Sequence, residues 1–163
     1  MWFLELNNDE GIRVTFDATN VLYIRLSGHP NAKSSIHVVF NIPAKNYSID
    51  VEYNDYNAFK RDKEMILSSD DLFNKSKPDR SPYAAYNVKD TKSNDITHII
   101  RLSEMMYIRC NDCSDLIIND DDYLTQIIDI KYWTDQQITI LVENKDLYKM
   151  IIDSRFKRYI DED

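Results

Sequence analysis

The two cysteines of the chain form a CxxC motif at positions 110–113, the residue spacing here with the most familiar chemistry. Two thiols at this spacing serve as ligands of a metal such as zinc or as a redox pair. A structural zinc site needs four ligands, and His29, His37 and His98 do not lie at zinc-finger spacing. A redox pair normally opens a helix, whereas this motif leaves a predicted strand for an acidic segment, which should raise the thiol pKa. We therefore predict no metal, cofactor or redox site.

An acidic segment surrounds this motif at positions 104–129, where seven acids accompany one base and supply most of the net charge of −8. One interpretation is a solvated loop that keeps the protein soluble. The other is a contact surface for a basic partner, because clustered charge steers association. A calcium loop is disfavoured because the central glycine of an EF-hand is missing. The candidate binding residues are Asp112, Asp115, Asp120, Asp121 and Asp122, with Trp133 as an aromatic anchor.

A third candidate is the Glu143-Asn144-Lys145 tripeptide, which follows a predicted strand. It resembles the (D/E)xK half of the PD-(D/E)xK nucleases. The resemblance implies that Glu143 and either Asp129 or Asp135 bind a metal ion, and that Lys145 polarises the phosphate. No Pro-Asp pair precedes the tripeptide at a suitable distance, and the negative net charge would repel DNA.

Other catalytic patterns are missing from the sequence. His98 falls on the apolar side of its predicted strand, which is typical of a hydrogen-bonded core histidine. No serine or cysteine sits in a nucleophile elbow, and no spacing marks a catalytic triad. The two glycines are too few for a P-loop or a dinucleotide-binding loop. We therefore predict a protein that is not an enzyme.

The elements that must position these residues follow from apolar periodicity. The first half alternates with period two in five runs, with polar residues such as Arg25, His37 and Asp50 on the opposite, wet face. A helix capped by Asn54 or Asp55 follows. The runs are Trp2/Leu4/Leu6, Ile12/Val14/Phe16, Leu22/Ile24/Leu26, Ile36/Val38/Phe40/Ile42 and Tyr47/Ile49/Val51/Tyr53.

The second half repeats this order. Four period-two runs precede a helix that begins near Lys145 and extends to Tyr159. Positions 68–85, with two prolines and many small polar residues, are predicted to form a connection with a short helical turn at Asp71–Asn74. The runs are Ile96/His98/Ile100/Leu102, Met106/Ile108/Cys110, Ile128/Ile130/Tyr132 and Ile138/Ile140/Val142.

The two halves are predicted to be copies of one unit. A shift of 84 places Tyr23-Ile24-Arg25 on Tyr107-Ile108-Arg109, and a shift of 91 aligns 47–62 with 138–153, strand on strand and helix on helix. The predicted fold class is α+β, with two similar antiparallel β-sheet-plus-C-terminal-helix lobes packed as a pseudo-dimer. The first lobe spans 1–67, the connection 68–85, and the second lobe, with its acidic insertion, 86–163.

The sequence predicts a cytoplasmic protein. With 163 residues, 43% of them apolar and 12% aromatic, the chain can bury a core. It shows neither a secretory signal nor an apolar run of about 18 residues for a membrane span. Its richness in Ile, Asn, Lys and Tyr is typical of AT-rich coding sequence, which suggests a phage or low-GC bacterial source.

We predict a non-enzymatic, acidic protein-binding module that docks onto another protein with a basic surface, in the manner of a phage or bacterial inhibitor or immunity protein. Exposed aromatics, among them Tyr23, Tyr107 and Trp133, are candidate anchors. No direct contact with nucleic acid or membrane is expected. Two alternatives stay open: a nucleic-acid mimic that blocks a DNA-binding protein, and a metal-dependent nuclease.

Overall fold

The computed structural model describes residues 3–42, 45–70, 72–74, 76–77, 81–90, 92–119, 122–143 and 146–156, and for 45–46, 114–119 and 122–124 it describes the backbone alone. The first half contains five strands, a short 3₁₀ turn and a helix. They are β1 (Phe3–Asn7), β2 (Arg13–Asp17), the 3₁₀ turn (Ala18–Asn20), β3 (Val21–Ser27), β4 (Ser34–Ile42), β5 (Lys45–Tyr53) and α1 (Tyr56–Leu67).

The second half contains the same kinds of element in the same order, without the 3₁₀ turn. They are β6 (Tyr83–Lys89), β7 (Asp95–Arg101), β8 (Met105–Asn119), β9 (Asp122–Tyr132), β10 (Gln137–Val142) and α2 (Leu147–Arg155). All pairings between the described strands are antiparallel.

The described strands form three sheets. A five-stranded central sheet has the order β5-β4-β3-β7-β6, a three-stranded sheet has the order β10-β9-β8, and β1 pairs with β2 alone. The pairing of β3 with β7 joins strands from the two predicted lobes in one sheet. The α+β class with antiparallel sheets is therefore confirmed, whereas the duplication is not shown and stays a prediction.

The two faces of the central sheet bury separate hydrophobic cores. On one face, the β1–β2 hairpin and α1 cover a core that includes Leu6, Ile24 and Phe59. On the other face, the three-stranded sheet and α2 cover a core that includes Ile100, Ile130 and Leu147. The second covering layer leaves part of its face of the central sheet open, and that gap holds the candidate site.

Local signals explain the first half well. The predicted β1–β2 hairpin is confirmed, and its turn is held by the Asn8 side chain, whose Oδ1 accepts bonds from the backbone N–H groups of Glu10 (2.9 Å) and Ile12 (3.0 Å). Gly11 has a φ of 103°, which disfavours other residues at that point of the turn. Asp55 caps α1 as predicted, because its Oδ1 accepts a bond from the Asn57 N–H at 2.9 Å.

Some boundaries differ from the prediction. The strand β6 was missed, and the connection ends at position 82 rather than 85. The buried residues of β6 are Tyr83, Tyr86 and Val88, and this irregular spacing conceals the two-residue period. The helix α2 ends at Arg155, where Phe156 is extended, instead of reaching Tyr159.

The interpretation of the acidic segment as a loop is wrong for the backbone. Its described residues extend β8 and β9 into a hairpin that continues past the end of β10, which pairs only with Gln126–Lys131 of β9. We call residues 112–125 the acidic arm. Apolar residues of high strand propensity between the acids account for the extended conformation, namely Leu116, Ile117, Ile118, Tyr123 and Leu124.

Several predictions fall outside the described residues. They concern Trp2 of the first strand, the start of the short turn at Asp71, and Lys145 and Tyr159 at the ends of the second helix. Leu72, next to Asp71, is almost fully buried in the first core.

Candidate functional site

A row of five polar side chains crosses one face of the central sheet. The strand registers place Asp50 opposite His37, His37 opposite Arg25, Arg25 opposite His98, and His98 opposite Tyr86. Neighbouring strands in a sheet lie about 4.8 Å apart, so each side chain in the row is next to the following one. We call these five residues the polar row.

Arg25 lies at the centre of the polar row and has no partner in the part of the chain that the structure describes. Its guanidinium makes no hydrogen bond and no ion pair with any residue that the structure describes, although its Nε atom is buried. Its neighbours on both sides are imidazoles, which are poor partners for a cation. A half-buried charge without a counter-ion is unfavourable for folding, because it loses water without gaining a protein contact.

His98 is the buried neighbour of Arg25 on β7. It is 2% exposed, its Nδ1 is hydrogen-bonded to the hydroxyl of Tyr23, and the two rings stack. Burial lowers the pKa of His98 to about 4, and the charge of Arg25 lowers it too. The prediction of a hydrogen-bonded core histidine is therefore confirmed. Tyr23, in contrast, is buried and cannot be the exposed aromatic anchor that the sequence predicted.

His37 is the half-buried neighbour on β4. Its Nδ1 lies 3.6 Å from the carboxylate of Asp50, which is too long for a hydrogen bond. Burial lowers the pKa of His37; the carboxylate of Asp50 opposes this shift, and the charge of Arg25 adds to it. Arg25 thus stands between two imidazoles whose pKa values are both lowered.

An open cleft lies above the polar row, between the central sheet and β10. One part is a cavity of about 560 Å³ that extends from Arg25 toward the β6–β7 turn. The second part is a cavity of about 460 Å³ that extends from Arg25 toward β4 and β5. Both parts are lined by Arg25 and Leu141, so the guanidinium lies where the two parts meet.

The strand β10 forms the opposite wall of the cleft. Among the described strands it pairs with β9 alone, so its other edge carries backbone N–H and C=O groups without ladder partners. Apolar and polar side chains of β10 line the cleft together, including Ile138, Thr139, Ile140 and Leu141. The cleft therefore combines a cation on its floor with an apolar wall.

Of the six predicted binding residues, the structure describes only Asp112 and Trp133 with their side chains. Asp112 is exposed and its Oδ1 accepts a bond from the amide of Gln126 at 3.1 Å. Asp115 and Asp122 lie in the strands of the acidic arm, and their side chains are not described. Asp120 and Asp121 lie outside the described residues.

Trp133 lies at the other end of β9, in the β9–β10 turn. It is 70% exposed, the largest exposed fraction among the large hydrophobic residues of the described chain. The distance from Asp122 to Trp133 along β9 is roughly 35 Å at the usual strand rise. Tyr107 on β8 is 44% exposed and pairs with Lys131 on β9. It therefore lies at the same end of the sheet as Trp133.

The described residues of the cysteine and nuclease motifs are not assembled into sites. Cys110 and Cys113 are free thiols within β8, and burial together with Asp112 raises the pKa of Cys110 to about 11. Asp129 is buried and accepts bonds from Arg109 (2.8 Å) and Thr139 (2.7 Å), and these contacts hold its pKa below the usual range.

The remaining nuclease residues lie apart. Asp135, in the β9–β10 turn, accepts a bond from Lys131 at 2.9 Å, whereas Glu143 follows the far end of β10. Asn144 and Lys145 lie outside the described residues. Among the described side chains, no three His, Cys, Asp or Glu residues are grouped as a metal site would require.

Comparison of the chain with protein-family models, with curated proteins and with solved structures finds no match. Within the described part of the chain, neither helix has the length and apolar character needed to cross a bilayer. The physical features of the molecule itself therefore carry the functional argument.

The sequence analysis missed the cleft and placed only three of the five residues of the polar row on one wet face. It put His98 on the apolar side of its strand, and it did not predict the strand that carries Tyr86. Alternation put Arg25, His37 and Asp50 on a wet face. Alternation does not predict the β3–β7 pairing, which places His98 beside Arg25. It also does not predict the position of β10 over that face. Neither the strand pairing nor the packing of β10 can be predicted from the sequence of a single strand.

Proposed function

We propose that the protein is a non-enzymatic binding protein that docks onto a basic partner protein through the end of the three-stranded sheet that carries Trp133. The observation that carries this proposal is the exposure of Trp133, 70% of whose surface is open to solvent. Tryptophan and tyrosine dominate binding energy when a partner buries them, because each removes a large apolar area from water.

The acidic arm contributes at longer range. Segment 104–129 accounts for most of the net charge of −8, and five of its seven acids belong to the acidic arm, whose described residues extend beyond β10. Such a field accelerates encounter with a basic partner and depends strongly on salt, while the aromatic contact sets the dissociation rate. The acidic arm at one end of β9 then affects the association rate, and Trp133 at the other end affects the dissociation rate.

The proposal is tested by substituting the anchor. The immobilised protein captures partners from a lysate of an AT-rich bacterium, the partner is identified, and its purified form is titrated against variants. Trp133→Ser should weaken binding by about tenfold or more, as expected for an anchor residue, and leave the stability of the fold nearly unchanged. The matched control is Ile12→Ser, which removes another exposed hydrophobic residue (49% exposed) from the distant β1–β2 hairpin and should bind normally.

A second set of variants tests the arm. Replacing Asp120, Asp121 and Asp122 with Asn should lower the association rate and flatten its salt dependence. A partner that binds Trp133→Ser and the wild type equally well would contradict the proposal. A captured partner that is a DNA-binding protein, released by DNA, would favour the nucleic-acid mimic instead.

We also infer that the chain arose by duplication of a unit made of a hairpin, a three-stranded meander and a helix. The support is the repeated order of pairing: β1–β2, β3–β4–β5 and α1 in one half, then β6–β7, β8–β9–β10 and α2 in the other. A natural single-unit chain that dimerises by pairing its third strand with the second strand of its copy, as β3 pairs with β7, would support the inference. An experimental structure with different pairing orders in the two halves would contradict it.

A further inference from the structure

The unpartnered guanidinium of Arg25 is the strongest indication of a second function. In folded proteins, charged side chains that leave bulk water are almost always paired. Arg25 is half-buried, has no partner among the described residues, and opens onto both cavities of the cleft. A counter-ion supplied from outside the chain would satisfy it.

We propose that the cleft binds a small organic oxyanion, with its carboxylate or phosphate group on Arg25 and its apolar body against β10. The planar guanidinium can donate two parallel hydrogen bonds to either group. The two cavities, of about 560 and 460 Å³, have the size of small-molecule sites, which are typically a few hundred Å³ and mostly apolar. This site is separate from the Trp133 surface and does not rest on that proposal.

The charges that line the cleft support an anion. The larger cavity is lined by four basic residues and two acidic ones. Of the other bases, Lys33 lies 3.5 Å from Glu52, and Lys89 lies 3.0 Å from Asp95. Lys92, like Arg25, makes no ion pair with a residue that the structure describes, so two cations face the cavity without a described counter-charge.

The acidic lining residues do not neutralise Arg25. The carboxylate of Asp90 closes its own turn, because it accepts bonds from the backbone N–H groups of Lys92 (2.9 Å) and Asn94 (2.8 Å). Glu143 takes part in an interaction of its own, and no ion pair joins it to Arg25. The imidazoles of His37 and His98 are the groups next to Arg25 on the sheet, and in their neutral form they do not compete with an anion for its charge.

The apolar wall defines the rest of the ligand. Ile138, Ile140 and Leu141 line the smaller cavity, and Val39 lies on the opposite side. A hydrophobic body placed there would contact these side chains while the charged end stays on Arg25. A bare inorganic anion would contact Arg25 but not the apolar side chains. We therefore expect an anion with an apolar body to bind more tightly.

The experiment is isothermal titration calorimetry of the full chain with two probes, phenyl phosphate and benzoate. Phenol is the uncharged control, and inorganic phosphate is the control without an apolar body. The wild type should bind at least one of the two organic anions with 1:1 stoichiometry, more tightly than inorganic phosphate, and should not bind phenol. Whichever probe binds identifies the head group as phosphate or carboxylate.

Three variants locate the contact. Arg25→Gln should weaken binding by about tenfold or more, the loss expected when a charge-assisted contact is removed. Arg25→Lys keeps the charge without the planar fork and should give an intermediate affinity. Arg13→Gln makes the same charge change at an exposed position of β2, outside the cleft, and should bind as the wild type does.

Chemical-shift changes in NMR spectra provide an independent readout. Binding should shift the amide signals of Arg25, His98 and Leu141, which surround the meeting point of the two cavities. The proposal is overturned if neither organic anion binds the wild type at about 10 mM, a limit well above a weak dissociation constant. Equal affinity of Arg25→Gln and wild type, or shifts confined to α1, would also overturn it.

Discussion

Asp62 and Arg25 are charged side chains on opposite sides of the central sheet; both are partly or fully withdrawn from water, and they differ in their partners. On the α1 side, the buried carboxylate of Asp62 accepts bonds from the Tyr53 hydroxyl (2.6 Å), the Asn7 N–H (2.9 Å) and the Arg61 Nε (3.2 Å). On the cleft side, the guanidinium of Arg25 has no such bond to any described residue. A charge that the fold satisfies contributes to stability, whereas a charge that it leaves open is available to a ligand.

The surroundings of Asp62 and Arg25 also differ, in agreement with a structural role for Asp62 and a binding role for Arg25. Asp62 connects α1 to β1 and β5, is 3% exposed, and lines neither of the two cavities of the cleft. Arg25 lies at the meeting point of two cavities, and its neighbours hold no charge that neutralises it. We therefore expect variants at Asp62 to affect mainly the free energy of unfolding, and variants at Arg25 to affect mainly binding.

The largest effect is expected from Asp62→Ala. The substitution leaves the buried Tyr53 hydroxyl and the partly buried Asn7 N–H without an acceptor, and each loss adds to the cost. The free energy of unfolding, measured by urea denaturation, should fall by about 4 kcal/mol. Asp50→Ala is the control, because the Asp50 carboxylate is exposed and makes no hydrogen bond to its neighbour His37. If Asp62→Ala and Asp50→Ala lowered the free energy of unfolding equally, Asp62 would have no special role in stability.

The next largest effect is a loss of stability at acidic pH, caused by His98 on the cleft side of the central sheet. Unfolded His98 binds a proton below pH 6.5, whereas in the folded protein it stays neutral until about pH 4. The unfolded state therefore binds more protons between these values, so stability is intact above pH 6.5 and falls as the pH decreases toward 4. The loss from this group is about 3 kcal/mol.

Denaturation curves at a series of pH values test this prediction. In His98→Gln most of the slope between pH 6.5 and 4 should disappear, and the rest belongs to His37, whose pKa is also lowered. The paired carboxylate of Asp129 contributes at lower pH, because its pKa lies below the usual range. A slope that survives His98→Gln unchanged would show that another group is responsible.

Smaller effects are expected from two matched tyrosine substitutions. Tyr53→Phe removes a bond to a buried carboxylate and should cost about 2 kcal/mol, while Tyr23→Phe removes a bond to a neutral imidazole and should cost about 1 kcal/mol. Thermal or urea unfolding of both variants measures the difference. The reverse order would indicate that the polar row, and not Asp62, supports the fold.

Much of this architecture was predictable because its signals are local. Alternation gave the strands of the first half, and Asp55 is one of the two residues that the sequence predicted as the cap of α1. The irregular burial of β6 and the extended backbone of the acidic arm were missed, because the former breaks the two-residue period and the latter is rich in acids typical of loops. Alternation placed Arg25 on a wet face and no sequence pattern marked Asp62, since only tertiary packing decides which charge gains partners.

The most direct test of the account is the stability of Arg25→Gln, measured by urea denaturation beside the wild type with and without phenyl phosphate or benzoate. Without ligand, the variant should be as stable as the wild type or slightly more stable, because it removes an unpaired charge next to two imidazoles. The bound probe should stabilise the wild type and leave the variant unchanged, since a ligand that binds the folded state alone raises its stability. A variant that is markedly less stable without ligand, or equally stabilised by it, would contradict the assignment of Arg25 to a ligand.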